Sequence, residues 1–303
     1  MISVGSLEFH VSYHCNLSCR NCMHMTPLEE KHFISQDELA LDLNKLKGIV
    51  VADEIRILGG EPLLNKDLAS LVKIVKESRI GKRVSLSTNG LLLHSWKDEN
   101  SLWSVLDFCE VSVYKSFKKA KETIVSDCVN VSKKNKLTFV LYFCDKFRQA
   151  GSLNKCNDQN ITRNIFETCL VSKNWQCFNI FEGRFYICPQ ALGFSRFNPK
   201  VDIDSNSISL DSPHLEEDIY NFINRKEPLQ ACSYCYGCVG KLFEHEQVNR
   251  ENYLLDFQSD FCKDRLDVPF MKKIQAKKGV GFSSLDTIEK VLVIKDGNLE
   301  ENF

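Results

Sequence analysis

The chain lacks an excess of charge of either sign: among its 303 residues, 39 Lys and Arg stand against 40 Asp and Glu, a net of −1. No basic field calls for nucleic acid, and no acidic field calls for a basic partner. Long hydrophobic runs are missing too. The longest apolar stretches are strand-sized, short of the ~18 residues a membrane helix needs, so no membrane is expected. Residues 1–15 show neither a basic start nor a long apolar block. That argues against a secretory signal and for a cytoplasmic protein. With 43% apolar and 26% charged residues, a disordered or fibrous chain is excluded. The length suggests about two domains and a real core.

What the chain does have is cysteine, 14 residues of it. In a reducing cytosol a disulfide framework is not expected, which leaves metal, redox chemistry or buried filler. The cysteines fall into a tight N-terminal trio, a scattered middle (Cys109, Cys128, Cys144, Cys156, read as small buried hydrophobes) and a dense second group from 169 to 238. Cys262 stands apart.

Periodicity places strands at Leu7–Tyr13, Glu54–Leu58, Arg83–Ser87, Cys109–Tyr114 and Leu137–Phe143. Helices are predicted between them at about 36–47, Asp67–Glu77, Asp98–Phe108 and Phe117–Lys133. The first has Ser35 as N-cap with Glu38 three residues on. Such alternation means parallel β/α units, whose active end lies at the C-terminal ends of the strands. Three unusual loops fall there: the cysteine trio, Gly59-Gly60-Glu61-Pro62 and Ser87-Thr88-Asn89-Gly90. The rhythm breaks after residue 150, with a boundary expected near 150–165. A hairpin around Glu182-Gly183 and a helix within Asp211–Lys226 follow, and the sequence after Gly240 has no assignment.

Cys15, Cys19 and Cys22 have the spacing C-x3-C-x2-C. One short loop can fold three thiolates at this spacing toward a common centre. A structural zinc or a complete cubane wants four ligands, so three leave one iron of a 4Fe–4S cluster open. Zinc held by the trio with His14 or His24, or three unrelated thiols, are the competing readings. Gly59 and Gly60 let the backbone approach a ligand closely. Their carbonyls suit an ammonium, and Glu61 is anionic, with a surface turn as the alternative. Ser87 and Asn89 are short polar side chains at a strand end, where Asn-Gly is also an ordinary turn dipeptide.

On these three motifs, residues 7–145 resemble the radical S-adenosylmethionine (SAM) enzymes. The resemblance implies an α/β fold: a partial (β/α)6 TIM-like barrel, most of it within residues 1–155. It implies that Cys15, Cys19 and Cys22 hold a SAM-bound 4Fe–4S cluster. Gly59, Gly60, Glu61 and Pro62 would hold the SAM amino group, and Ser87 and Asn89 would contact its ribose or carboxylate. Reduction by an external one-electron donor of flavodoxin or ferredoxin type then yields a 5′-deoxyadenosyl radical, which takes a hydrogen atom from a substrate carbon. One departure is Asn21, where the family usually has an aromatic residue near the adenine; His24, Met25 or Val113 are the substitutes.

The second group is similar to the twitch subdomain, a shorter relative of the SPASM domain. That likeness implies a small α+β Fe–S-binding subdomain over residues 156–240, followed by an unassigned extension, 241–303. Cys169, Cys188, Cys232 and Cys235 would close one auxiliary 4Fe–4S cluster, with a structural zinc site as the competing reading. Cys177, Cys238 and Cys262 remain as candidate hydrogen-atom donors to a substrate radical. His10, Tyr114 and Tyr142 are candidate cavity residues, and Arg148 is read as solvated surface. The expected reaction is oxidation or epimerisation of a small sugar or aminocyclitol. Peptide modification is the alternative, and a non-catalytic Fe–S or zinc protein the minor one.

Overall fold

The computed structural model describes residues 1–117, 119–281 and 286–301. Its centre is one open sheet. In chain order the elements that build the first half are β1 (Ile2–Ser12), α1 (Gln36–Leu46), β2 (Val50–Gly59), α2 (Leu68–Ser78), β3 (Gly81–Thr88), α3 (Leu93–Trp96), α4 (Asn100–Trp103), β4 (Phe108–Tyr114), α5 (Lys121–Asn135) and β5 (Thr138–Cys144). The second half adds β6 (Lys146–Arg148), α6 (Gln159–Glu167), α7 (Leu170–Lys173), β7 (Cys177–Phe181), β8 (Arg184–Tyr186), α8 (Pro189–Phe197), β9 (Ile208–Ser209), α9 (Leu215–Ile223), β10 (Leu242–Glu244), α10 (Arg250–Gln258), α11 (Val268–Lys277), β11 (Ile288–Lys295) and β12 (Asn298–Glu301).

The sheet order is β12-β11-β5-β4-β3-β2-β1-β7-β8-β9. Strands β1 to β5 lie parallel in sequence order, as the β/α rhythm requires. The sixth parallel strand is β7, which joins the other edge beside β1, pairing Ser6 with Cys177 and Phe9 with Ile180. The sheet does not close on itself among the described residues. The extension beyond residue 240 supplies β11, antiparallel to β5. The described residues beyond 155 thus extend the first sheet, and Phe178, Phe194, Tyr253 and Leu292 share its core. A smaller apolar cluster joins Ile165, Leu170, Tyr236, Cys238, Phe270 and Ile274.

Local chemistry explains the elements. Ser35 and Glu38 form a reciprocal capping box at the start of α1. Leu68, Leu71, Val72 and Val75 give α2 a helical apolar stripe, and all are buried. Of the helix expected over Asp98–Phe108 only one short turn forms, α4, and a second short turn, α3, precedes that span. Asp107 is taken up by β3, accepting the Val84 N–H at 2.6 Å, and β4 begins at Phe108.

The two faces of the sheet differ. Leu7, Phe9, Val11, Ile55, Ile57, Val84, Leu86 and Val111 enter the helix-covered core. Their alternate neighbours are polar. Arg56 bridges Glu8 at 3.3 Å, Glu54 at 3.1 Å and Glu110 at 3.1 Å. Ser85 donates to Glu54, Ser87 and Tyr142 donate to Glu110, and Asn179 donates to Glu8. The period-2 alternation of a strand sorts these residues onto one face.

Candidate functional site

The trio loop leaves the end of β1 and crosses the ends of β2 and β3. Cys15, Cys19 and Cys22 all line one cavity of about 290 Å3, together with Gly59, Gly60, Ser87, Thr88 and Asn89. The three sequence motifs therefore meet on one void, at the strand ends where they were expected. Among the described residues no three His, Cys, Asp or Glu side chains are already grouped as a metal-ion site. Three thiols on one cavity wall, with polar groups opposite, fit in number and kind a cluster that keeps one position free. Burial pushes the Cys15 thiol up to about 12 and that of Cys19 higher still. A thiolate there needs a cation to hold it.

The glycines act on the loop itself. At Gly59, whose φ is +149°, a Cβ would run into the Ser12 carbonyl, and at Gly60 into the carbonyl of His14. Their absent side chains let the Gly60 N–H reach the Ser12 carbonyl at 2.7 Å and the Glu61 N–H reach that of His14 at 3.1 Å. The GGEP turn is thereby fastened directly under the cysteine loop.

Glu61 is neither the surface carboxylate nor the cavity-lining anion considered from the sequence. It is fully buried. It accepts from the Leu63 N–H at 3.0 Å, the Thr88 hydroxyl at 2.6 Å and the Asn89 N–H at 2.8 Å. Burial pushes its carboxyl up to about 7 despite those donors. Glu61 ties the β2 end to the β3 end; Pro62 is likewise absent from the cavity wall. Asn89 continues the tie, donating to Asn16 at 2.7 Å, with the same amide 3.7 Å from the Cys15 sulfur.

Asn21 lines the cavity with φ +60°. Asparagine tolerates that left-handed conformation better than an aromatic residue, which gives a backbone reason for the departure at this position. Of the three substitutes named for it, only His24 lines the cavity, whereas Met25 and Val113 are buried elsewhere. His24 lies against His10, with ring centroids 5.2 Å apart, and His10 meets Asn179 at 2.7 Å. Burial lowers His10 to about 3 and His24 to about 4, so both are neutral at neutral pH. Ser87, which donates to Glu110, and His24, which lies against His10, put the cavity wall in contact with the polar sheet face.

The second cysteine group also converges. Cys169, Cys188, Cys232 and Cys235 border one cavity of about 30 Å3, otherwise walled largely by Ile165, Phe166, Ile187, Ala191 and Ala231. Backbone N–H groups already point at the sulfurs: Ala191 to Cys188 at 3.4 Å and Gly237 to Cys235 at 3.1 Å. The match to a closed four-iron cluster is in the number and kind of donors. The hairpin tip beside it turns through Glu182 (φ +48°) and Gly183 (φ +69°).

The three candidate hydrogen donors separate. Cys177 stands on β7 beside Glu8, with which it shares a hydrogen bond, and near Arg56. Cys238 is 1% exposed, in the apolar cluster behind Cys169, and its sulfur takes the Leu170 N–H at 3.5 Å. Cys262 lies beside Tyr236. None of the three lines the main cavity. Cys109, Cys128, Cys144 and Cys156 are buried.

Several site residues were not anticipated. Arg148, read as solvated, is 2% exposed; it pairs with Asp267 and Asp286, donates to the Gly240 carbonyl and borders the cavity. Thr287 borders it from the extension. His245 reaches the Cys19 sulfur at 3.2 Å, whereas the histidines named as competing zinc ligands are His14 and His24. From sequence, Glu8, Glu54, Arg56 and Glu110 are strand residues only. Their one sequence signal is charge at alternate strand positions, as in Glu54-Ile-Arg56.

An open parallel sheet carrying a cysteine loop and a glycine turn on its strand ends defines a cofactor-binding α/β protein. Residues 9–136 match the family model of the radical SAM superfamily. Members bind SAM on a 4Fe–4S cluster. The chain is 33% identical over 99 residues to GTP 3′,8-cyclase 3 of Mycobacterium bovis, covering 30% of this chain and 26% of the relative. It is 35% identical over 100 residues to GTP 3′,8-cyclase of Campylobacter curvus, covering 31% and 30%. It thus spans less than a third of the length of these curated relatives. Among solved structures it is similar to BtrN in complex with AdoMet and 2-DOIA, with 16% identity, 73% of this chain and 82% of that one covered, and a TM-score of 0.47.

Proposed function

We propose that the protein oxidises or epimerises a small hydroxyl-rich molecule, a sugar or aminocyclitol. In this reading Cys15, Cys19 and Cys22 hold the SAM-binding cluster. Cys169, Cys188, Cys232 and Cys235 hold one auxiliary 4Fe–4S cluster, and a flavodoxin- or ferredoxin-type protein supplies electrons. The bound cofactors supply one-electron chemistry strong enough to remove a hydrogen atom from an unactivated carbon.

The observation that carries the substrate class is the polar sheet face next to the cavity. Hydroxyl groups are recognised by fixed donors and acceptors. Arg56 is held among Glu8, Glu54 and Glu110, so the carboxylates are oriented before a substrate arrives. Tyr142, Ser112, Asn179 and neutral His10 and His24 add donors and acceptors around them. Arg148, Thr287 and Tyr114 border the cavity and keep water out. For an epimerisation, Cys177 is the thiol beside this face, and burial keeps it protonated and able to give a hydrogen atom.

The test is anaerobic incubation of reconstituted protein with SAM, dithionite and panels of sugars, aminocyclitols and short peptides. A sugar or aminocyclitol that loses two hydrogens, or gains one solvent deuterium with inversion, supports the reading. Turnover of peptides alone overturns it.

A further inference from the structure

We infer that His245 is a positioning residue of the cluster site: it donates an N–H···S hydrogen bond to Cys19 and raises the reduction potential of the cluster that the trio holds. This rests on the trio being the cluster's ligands.

The geometry is specific. His245 Nε2 lies 3.2 Å from the Cys19 sulfur, while Nδ1 lies 3.3 Å from the Ser116 hydroxyl. Ser116 can donate to Nδ1, which leaves the proton on Nε2, facing sulfur. The ring cannot turn away. It stacks on Tyr114 with centroids 4.5 Å apart and planes 12° apart, and Phe147 meets its edge at 5.0 Å. The His245 backbone N–H donates to the Asp145 carbonyl at 2.7 Å.

The contact belongs to a longer clasp. The Arg20 N–H donates to the Glu246 carbonyl at 2.9 Å, and the Val248 N–H donates to the Ser18 carbonyl at 2.8 Å. Arg20 also holds Asp256 at 2.6 Å, and the Tyr253 hydroxyl donates to the Cys22 carbonyl at 2.8 Å. The extension, unassigned from sequence, therefore grips the cysteine loop from 18 to 22. A donor aimed at a ligating sulfur spreads its negative charge, which favours the reduced cluster.

The test compares His245→Phe, which keeps a ring on Tyr114 without a donor, with His245→Gln, which restores an N–H near sulfur. Iron per chain and the midpoint potential of the cluster are read by chemical assay and by redox titration followed by electron paramagnetic resonance. The expected result is wild-type iron in both, a potential shifted negative in the Phe variant, and a Gln variant between Phe and wild type. An unshifted potential in the Phe variant overturns the inference. So does loss of iron there combined with a wild-type signal that SAM does not perturb, because His245 would then be a fourth ligand. The underlying reading fails separately, if Cys19→Ala keeps the wild-type cluster.

Discussion

The two cysteine regions share an element and little else. In the first, three thiols stand on a cavity of about 290 Å3 edged with serine, threonine, asparagine and bare glycine backbone. In the second, four thiols enclose about 30 Å3 among isoleucine, phenylalanine and alanine, about the share of space one water takes in the liquid. A three-thiol site with room beside it can bind a reactant; a four-thiol site without room can hold charge or hold structure. In the proposed function the difference puts the chemistry at the trio and leaves the second group the task of electron storage or of staple.

The comparison is broken most directly at the ligands. Replacing Cys15, Cys19 or Cys22 by Ala is expected to abolish SAM cleavage, read as 5′-deoxyadenosine formed under dithionite. Replacing Cys169, Cys188, Cys232 or Cys235 by Ser is expected to remove about four irons per chain while SAM cleavage persists. If the second set stops cleavage as completely as the first, the division of labour is wrong.

Glycine sharpens the contrast at the level of backbone. Gly60→Ala sets a methyl into the His14 carbonyl under the trio loop, with no flexible side chain to move. It should cost roughly 3 kcal/mol or more and lower iron binding at the first site. Gly183→Ala, at the hairpin of the second region, meets only an ordinary contact with the Asp42 carboxylate at 3.9 Å and a left-handed φ. It should cost about 1–2 kcal/mol. Denaturant midpoints of the two variants decide it, and equal losses would remove the special role of Gly60.

A pH dependence is expected at the strut between the motifs. Burial raises Glu61 from 4.5 to about 7. Its favourable contribution is therefore full below about 4.5 and is lost as pH rises through about 7, on the order of 3 kcal/mol. Glu61→Gln removes that titration, so its unfolding midpoint should depend on pH less steeply than wild type over this window. Parallel curves would contradict the burial argument.

Much of this was legible in the residues. The β/α alternation, the capping box at Ser35, and the meeting of three motifs at strand ends all follow from local pattern. The convergence of Cys169 with Cys188, Cys232 and Cys235 followed from motif likeness. What was illegible depends on long-range packing. His245 and Cys19 are 226 residues apart, and no local signal marks the pairing. The turn of Glu61 away from the cavity is decided by donors on another strand. Arg148 looked solvated because arginine usually is; its two carboxylate partners come from residues 267 and 286. Strand β11 was hidden because an antiparallel edge strand added after the β/α units has no rhythm to announce it.

The central claim is that one cysteine region is an open reaction centre and the other a closed store. The most direct measurement is iron and sulfide per chain in anaerobically prepared protein, with 5′-deoxyadenosine assayed in the same sample. The account predicts about eight irons and cleavage of SAM. About four irons, with zinc at the second region, would contradict the electron-storing half of the claim, and zinc throughout with intact SAM would contradict all of it.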